Sequence, residues 1–463
     1  MGLGQRQKAL EINLNPHIYG TFAEIGAGQE VARHFFRAGG AAGTIAKSIS
    51  AYDMTVSDSV YGKESSGRYV CEDRLHKMLD HEFNQLVDRL SVIRHPDTTF
   101  FAFADTVAAK SYRGTGENHG WLGVKFQHKA KAKPSEVIMH IKMLDAENTQ
   151  QQEAVGLIGV NLIHGIYNYA HDREQFISGL MDGLSTSRIQ IDMIRVSGDA
   201  FLGVDSRLLC LELVKRKLCE AVIFNGEGKV VQASDVIYKK NVLVLRGGFR
   251  PPTLLSLDML DTGLAKFKAS LDSEEQKNIL VLPEISMSQL IERGMVDNED
   301  FLARVDLLSA LGHNVLISSS DSYAELNIFL NKLSKKKIAY VMGTYNLEDT
   351  FMKVEDGKLL HQLGGLFEPR SKVYVYPSLD DAGELKTTQN MSLKDEHLFM
   401  LLFLTENKYI EDITDYDKNV IHIWSRTVLR MIQDGDTGWE KMVPKSVAKA
   451  VKTKCLFGAK CDV

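Results

Sequence analysis

Five short apolar runs recur between residues 241 and 377: NVLVL (241–245), NILVLPE (278–284), NVLISSS (314–320), KIAYVMG (337–343) and KVYVYP (372–377). Each is too short for a buried helix and has no polar alternate residue, so both of its faces must be covered. Helical text separates them, as in SYAELNIFLNKL (322–333). Short apolar strands alternating with helices predict a mostly parallel, Rossmann-like sheet with helices on both faces.

The first part of the chain reads as mixed α+β. EDRLHKMLDHEFNQLVDRLSVI (72–93) has apolar residues in steps of three and four, which predicts an amphipathic helix ending before Pro96. TTFFAFADTV and WLGVKFQ read as strands of a hairpin joined by a glycine-bearing polar loop, and EVIMHIKML (136–144) as a further strand. AVGLIGVNLIHGIYNYA (154–170) reads as a buried helix, because Asn161, His164 and Asn168 interrupt it. Its glycines Gly156, Gly159 and Gly165 each cost about 1 kcal/mol against Ala, which is tolerable where another backbone packs closely.

At 463 residues the chain exceeds one ordinary core. We expect an α+β domain over 1–134, an α/β region with the parallel sheet over 135–378 and a helical extension over 379–463.

A net charge of −5 does not suit a nucleic-acid binder driven by phosphate contacts. No secretory leader and no spanning helix is visible, so no membrane is expected. Five scattered cysteines argue against a disulfide framework, and plain thiols in a cytoplasmic protein are the expectation. No HxxxH, HExxH or CxxC pair occurs, so no metal site is expected. No Gly-x-Ser-x-Gly elbow occurs either.

Three glycine-bearing turns precede helices. In EIGAGQEVARHFF, Gly26 and Gly28 could let backbone N–H groups approach a phosphate, or could serve a tight turn into a packed helix. RAGGAAGTIAKSIS (37–50) places Ala46 where a phosphate loop needs glycine, so it is not a P-loop. RGGFRPPTLLSLDML (246–260) follows a strand, where ligands of parallel α/β sheets bind. There Gly247 and Gly248 expose backbone, while Arg246 and Arg250 offer charge.

This third turn resembles the signature Gly-Gly-x-Phe-x-Pro-x-(His/Thr)-x-Gly-His of the nicotinate-nucleotide adenylyltransferases. Gly247, Phe249, Pro251 and Thr253 match. Arg246 replaces the first glycine, Leu255 the last, and Ser256 the histidine that steadies the transferring phosphoryl group. A second signature, Ile-Ser-Ser-Thr-x-x-Arg, is echoed by Ile317, Ser318, Ser319 and Ser320, with Tyr323 in place of the arginine. The serines also suit a helix cap. With the histidine and the arginine missing, Arg246 and Arg250 could supply the charge instead, and with the motif position Thr253 they are the expected catalytic residues. Ligand contacts are expected from Gly247, Gly248, Ser318, Ser319 and Ser320, with ATP or another nucleotide and Mg²⁺ as candidate cofactor.

Nearly end to end, the chain is similar to a large bacterial family. YGTFAEIGAGQEVARHFFRAGGAAGTIAKSISAYDM, ENTQQQEAVGLIGVNLIHG and RGGFRPPTLLSLDML carry that similarity. Members of the family bear two conflicting labels, nicotinate-nucleotide adenylyltransferase and TonB-dependent receptor. The second requires a transmembrane barrel of alternating strands, which the text does not show. Two readings therefore stand. One is an enzyme, nucleotidyltransferase-like, that binds a small phosphorylated ligand. The other is a non-catalytic scaffold assembled as a homo-oligomer, with the same turns serving structure.

Overall fold

Residues 100–104 are apolar on both sides, and Thr99–Ala108 forms a central strand of the first sheet, buried along almost its whole length. A computed structural model describes residues 3–65, 67–111, 118–292, 294–352, 358–380 and 382–460. Residues 112–117 of the loop expected between the first two strand signals, and Cys461, lie outside them. The chain divides into two units, Met1–Cys219 and Glu220–Val463.

In the first unit the strands are β1 (Ile18–Gly26), β2 (Ile45–Ala51), β3 (Thr99–Ala108), β4 (His119–Phe126), β5 (Ser135–Met143) and β6 (Ile189–Ser197). They lie in the order β2-β1-β3-β4-β5-β6. β1 runs parallel to β2 and β3, and the rest is an antiparallel meander. An expected boundary at residue 134 thus falls inside this sheet.

Helices α1 (Gln5–Leu14), α2 (Val31–Ala38), α3 (Glu72–Leu90) and α4 (Asn148–Asn168) accompany the sheet. Phe83 and Leu86 of α3 pack with Phe100 and Ala102, while Phe22, Phe35 and Phe103 cluster through the alternate residues. The glycines of α4 have the packing role their cost implies. A Cβ on Gly159 would fall 2.4 Å from Val31 Cγ2, and one on Gly156 would fall 2.8 Å from Glu30 Cβ.

The second unit contains β7 (Ala221–Phe224), β8 (Val230–Val231), β9 (Asn241–Arg246), β10 (Ile279–Ser286), β11 (Val315–Ser318), β12 (Ile338–Gly343), β13 (Ser371–Tyr376) and β14 (Ile410–Asp412). Their order is β14-β13-β12-β9-β10-β11-β7-β8. Pairing is parallel from β14 through β11, and β7 and β8 close the edge antiparallel. Each apolar run is buried on both faces. Val242, Val244, Tyr340 and Met342 belong to one core with helix α5 (Tyr323–Leu333). On the other face, helix α6 (Leu254–Ala269) comes so close that a Cβ on Gly263 would fall 2.3 Å from Val341 Cγ2.

The last 85 residues were expected as a helical extension; Ile410–Asp412 instead joins the sheet edge. Beyond it, Val428, Ile432 and Trp439 form a small core with Leu307. Cys71, Cys210 and Cys219 are free thiols, but Cys455 is disulfide-bonded, which corrects the expectation of five plain thiols. Among the described residues no helix is long and apolar enough to cross a membrane.

Candidate functional site

After β9 the chain adds β10 and β11 on one side, then returns to place β12 and β13 on the other. The loops leaving β9 and β12 therefore part in opposite directions, and a crevice opens beyond the carboxyl ends of these neighbouring strands. A cleft of about 970 Å³ lies there, lined among others by Gly247, Gly248, Thr344, Tyr345, Trp424 and Arg426. An adjoining cleft of about 700 Å³ shares Arg246, Tyr345, Asn346 and Arg426 with it.

The glycine loop is held from behind and open in front. Gly247 N–H donates to the Glu284 carbonyl at 3.0 Å. Arg304 Nη1 donates to the carbonyls of Gly248 and Gln289 at 3.2 and 2.9 Å. Phe249 is buried beneath the loop with a φ of 46°. A Cβ on Gly248 would meet nothing within 4 Å, and among the described residues no protein acceptor takes its N–H. Helix α7 (Thr344–Met352) starts directly after β12, so its first N–H groups, which have no intrahelical acceptor, also belong to this edge.

The two arginines of the turn are engaged with carboxylates. Arg246 Nε and Nη2 donate to Glu284 at 2.6 and 3.1 Å, and Nη2 donates to the Ser320 carbonyl at 3.1 Å. Its guanidinium lies 4.9 Å from the Tyr323 ring centroid. Burial alone would lower the Arg246 pKa, but the Glu284 charge and hydrogen bonds raise it. Arg250 bonds Asp300 and Glu292, and Asp300 also bonds Arg304.

Thr253 is buried at the start of α6. Its Oγ1 accepts from Ser256 N at 3.2 Å while its own N–H donates to Ser256 Oγ at 2.9 Å, a reciprocal cap. Ser318 Oγ donates to Glu284 at 2.5 Å, and Ser319 N–H and Oγ donate to the Glu220 carbonyl at 2.9 and 3.1 Å. Ser320 N–H donates to Ser318 Oγ at 3.3 Å. The serines thus brace the Arg246–Glu284 pair, and Ser322 caps α5 by accepting from Glu325 N.

Gly26 and Gly28 lie in the first unit, where an internal carboxylate takes the helix amides. Glu24 accepts from Val31 N at 2.8 Å and Ala32 N at 3.3 Å, at the start of α2. A Cβ on Gly28 would fall 1.9 Å from Asp105 Oδ1. Burial pushes Glu24 up to about 7, against the opposing effect of these two N–H groups. Two further acids of the first unit are also engaged. Asp192 bonds His140 and Lys142, and Asp205 caps the helix at Ser206.

Sequence reasoning missed the residues that complete the cleft. Ser425 Oγ donates to the carbonyls of Arg250 and Pro251 at 3.1 and 3.3 Å, which docks a late segment on the glycine loop. That contact brings Trp424, 51% exposed, and Arg426 to the rim. Among the described residues Arg426 has no partner, and Tyr345 adds a second exposed ring. An exposed Trp-Ser-Arg at a helix start is a signal, but nothing in the sequence says which loop it meets.

No protein-family model and no curated protein matches the chain. Solved structures similar to part of it include a competence/damage inducible protein, CihA, from Agrobacterium tumefaciens, with 15% identity and a TM-score of 0.26, covering 35% of this chain and 97% of that one. The competence damage-inducible protein A of Klebsiella pneumoniae gives 13% identity and a TM-score of 0.27, covering 37% of this chain and 99% of that one. A provisionally named nicotinate-nucleotide adenylyltransferase from Vibrio parahaemolyticus gives 15% and 0.20, covering 47% of this chain and 95% of that one. Superpositions at such TM-scores carry no functional argument, which rests on the site.

Proposed function

We propose that the second unit binds a small phosphorylated ligand of the mononucleotide class in the cleft where strand order reverses. The observation that carries this reading is the Gly248 N–H, which lacks a protein acceptor and borders open space. The first amides of α7 add positive potential at the same cleft. Arg426 supplies a guanidinium for a phosphate oxygen. Tyr345 and Trp424 supply ring faces for a base, at about 1–3 kcal/mol per stacked base.

Nucleotidyl transfer to a nicotinate-type mononucleotide is the reaction this reading admits. The chain would hold two phosphorylated partners in line, and ATP would bring Mg²⁺ to offset phosphoryl charge. Arg246, Arg250 and Thr253 then position the loop through Glu284, Asp300 and Ser256, while Arg426 meets the ligand.

Trp424 reports on the cleft, because Trp121 and Trp439 are 3% and 5% exposed. Its fluorescence is followed while adenosine monophosphate, nicotinate mononucleotide or ATP is added, with and without Mg²⁺. Saturable change is expected in the wild type. Gly248→Ala keeps the fold and the N–H, but its methyl enters the open space a phosphate would fill and holds the ligand off that N–H, so binding weakens by about tenfold. Silence with every phosphorylated compound, or an unaltered response in the variant, sinks the proposal.

Assembly is the second reading, and a different surface supports it. Helices α8 (Leu359–Leu366) and α9 (Asp395–Glu406) expose Leu360, Phe399 and Phe403 at 74%, 75% and 62%.

A further inference from the structure

We propose that His17, His95 and Asp97 bind a divalent transition-metal ion of the zinc class at the amino edge of the first unit's sheet. One donor atom from each of the three lies within 4.8 Å of the others. His95 Nδ1 accepts from the Asp97 N–H at 3.3 Å and lies 3.6 Å from Asp97 Oδ2. A tetrahedral zinc site with bonds of about 2.1 Å sets its donors about 3.4 Å apart, so the pair has ligand spacing once an ion takes the place of that weak N–H contact. The rings of His17 and His95 meet edge to face at 6.3 Å between centroids.

Backbone structure holds the two segments together. His17 directly precedes β1, and His95-Pro96-Asp97 leads into β3, which pairs parallel to β1 from Ile18 and Thr99 onward. The His17 carbonyl accepts from Thr99 N at 2.7 Å and Thr99 Oγ1 at 3.1 Å. Thr98 N–H donates to the His95 carbonyl at 2.9 Å, and His17 N–H donates to Asn15 Oδ1 at 3.0 Å. Pro96 restricts the link between two of the ligands. The side chains themselves are exposed, His95 at 67% and Asp97 at 71%, so they can close on an ion and leave coordination positions to water.

Two imidazoles and a carboxylate select Zn²⁺, Co²⁺, Ni²⁺ or Cu²⁺ over the hard, all-oxygen ions. A bound ion would clip the entrances of two central strands, and so stabilise the first unit in proportion to its saturation. His17 is far in sequence from His95 and Asp97, which is why spacing motifs do not reveal the set.

The test is a Co²⁺ titration of the full chain followed by visible absorption, with Zn²⁺ as displacer. One high-affinity ion per chain is expected. His17→Ala and His95→Ala should each weaken it by at least about tenfold, since even outer-shell changes cost that much. His171→Ala, an exposed histidine elsewhere in the first unit, should leave it unchanged. Asp97→Asn, a surface change with no packing cost, should weaken it less than the histidine variants do. Absence of stoichiometric binding overturns the proposal. So does an affinity that survives both His17→Ala and His95→Ala, which would place the ion on other groups.

Discussion

Asp105 is fully buried beside Glu24, its register partner on the neighbouring strand. Neither of its carboxyl oxygens makes a hydrogen bond of ordinary geometry. Burial first, then the Glu24 charge, pushes its pKa well up, with the Ile25 N–H opposing. Two such acids cannot both ionise, and Glu24 is itself raised to about 7. A raised folded-state pKa means stability that is full below the ordinary carboxylate range and lost as pH rises through about 7. Asp105→Asn removes the second proton-binding group at equal volume. Its advantage over wild type should be smallest near pH 4, where the wild-type acid is protonated in both states, and should grow as pH rises to 8.5. Urea unfolding at both pH values reads this out, and a variant less stable at high pH would refute it. The same carboxyl explains Gly28. A glycine pair before a helix signals that something approaches the backbone. Only the folded chain shows that the visitor is Asp105, while Glu24 takes the amides that a phosphate would need.

At the scale of elements, what was legible depended on whether one segment carried its own signal. The apolar runs NVLVL and KIAYVMG declare strands covered on both faces because no polar residue alternates in them. The glycines of α4 declare a close neighbour, and Val31 of α2 is that neighbour. Gly159→Ala should therefore destabilise by about 1–3 kcal/mol, although Ala gains about 1 kcal/mol in helix propensity. Its methyl would meet Val31 Cγ2 at 2.4 Å and Phe103 at 3.2 Å, and a melting temperature equal to wild type would show that α2 yields freely. The helix α9 is a different case. DEHLFMLLFLTE buries Leu401 and Leu404 but leaves Phe399, Leu402 and Phe403 exposed, so it is apolar on more than the face its own unit covers. The double change Phe399→Ser with Phe403→Ser should lower the molar mass measured by light scattering if this face joins copies. An unaltered mass would leave the second reading without its surface.

At the scale of the molecule, the order of strands decides the site, and order is not written in any one segment. The alternation of strands and helices announces a parallel sheet. It does not announce that the chain turns back after β11, and that reversal sets Gly248 beside Thr344. Nor does it announce that a segment 175 residues after Arg250 returns to dock through Ser425. The arginines nearest in sequence are neutralised by Glu284, Asp300 and Glu292, whereas the rim arginine comes from that late segment. Division of labour across the cleft follows, and it can be measured. Arg426→Ala removes a charge that meets phosphate, so adenosine monophosphate and ribose 5-phosphate should lose affinity alike, by about tenfold. The loss should shrink at high salt, because Arg426 is exposed. Trp424→Ala removes a ring face, so it should weaken adenosine monophosphate by about tenfold and spare ribose 5-phosphate. Calorimetry of both ligands on both variants separates the two roles. If Trp424→Ala weakens the two ligands equally, the ring is only a wall of the cleft, and the ligand is a phosphorylated compound that needs no base.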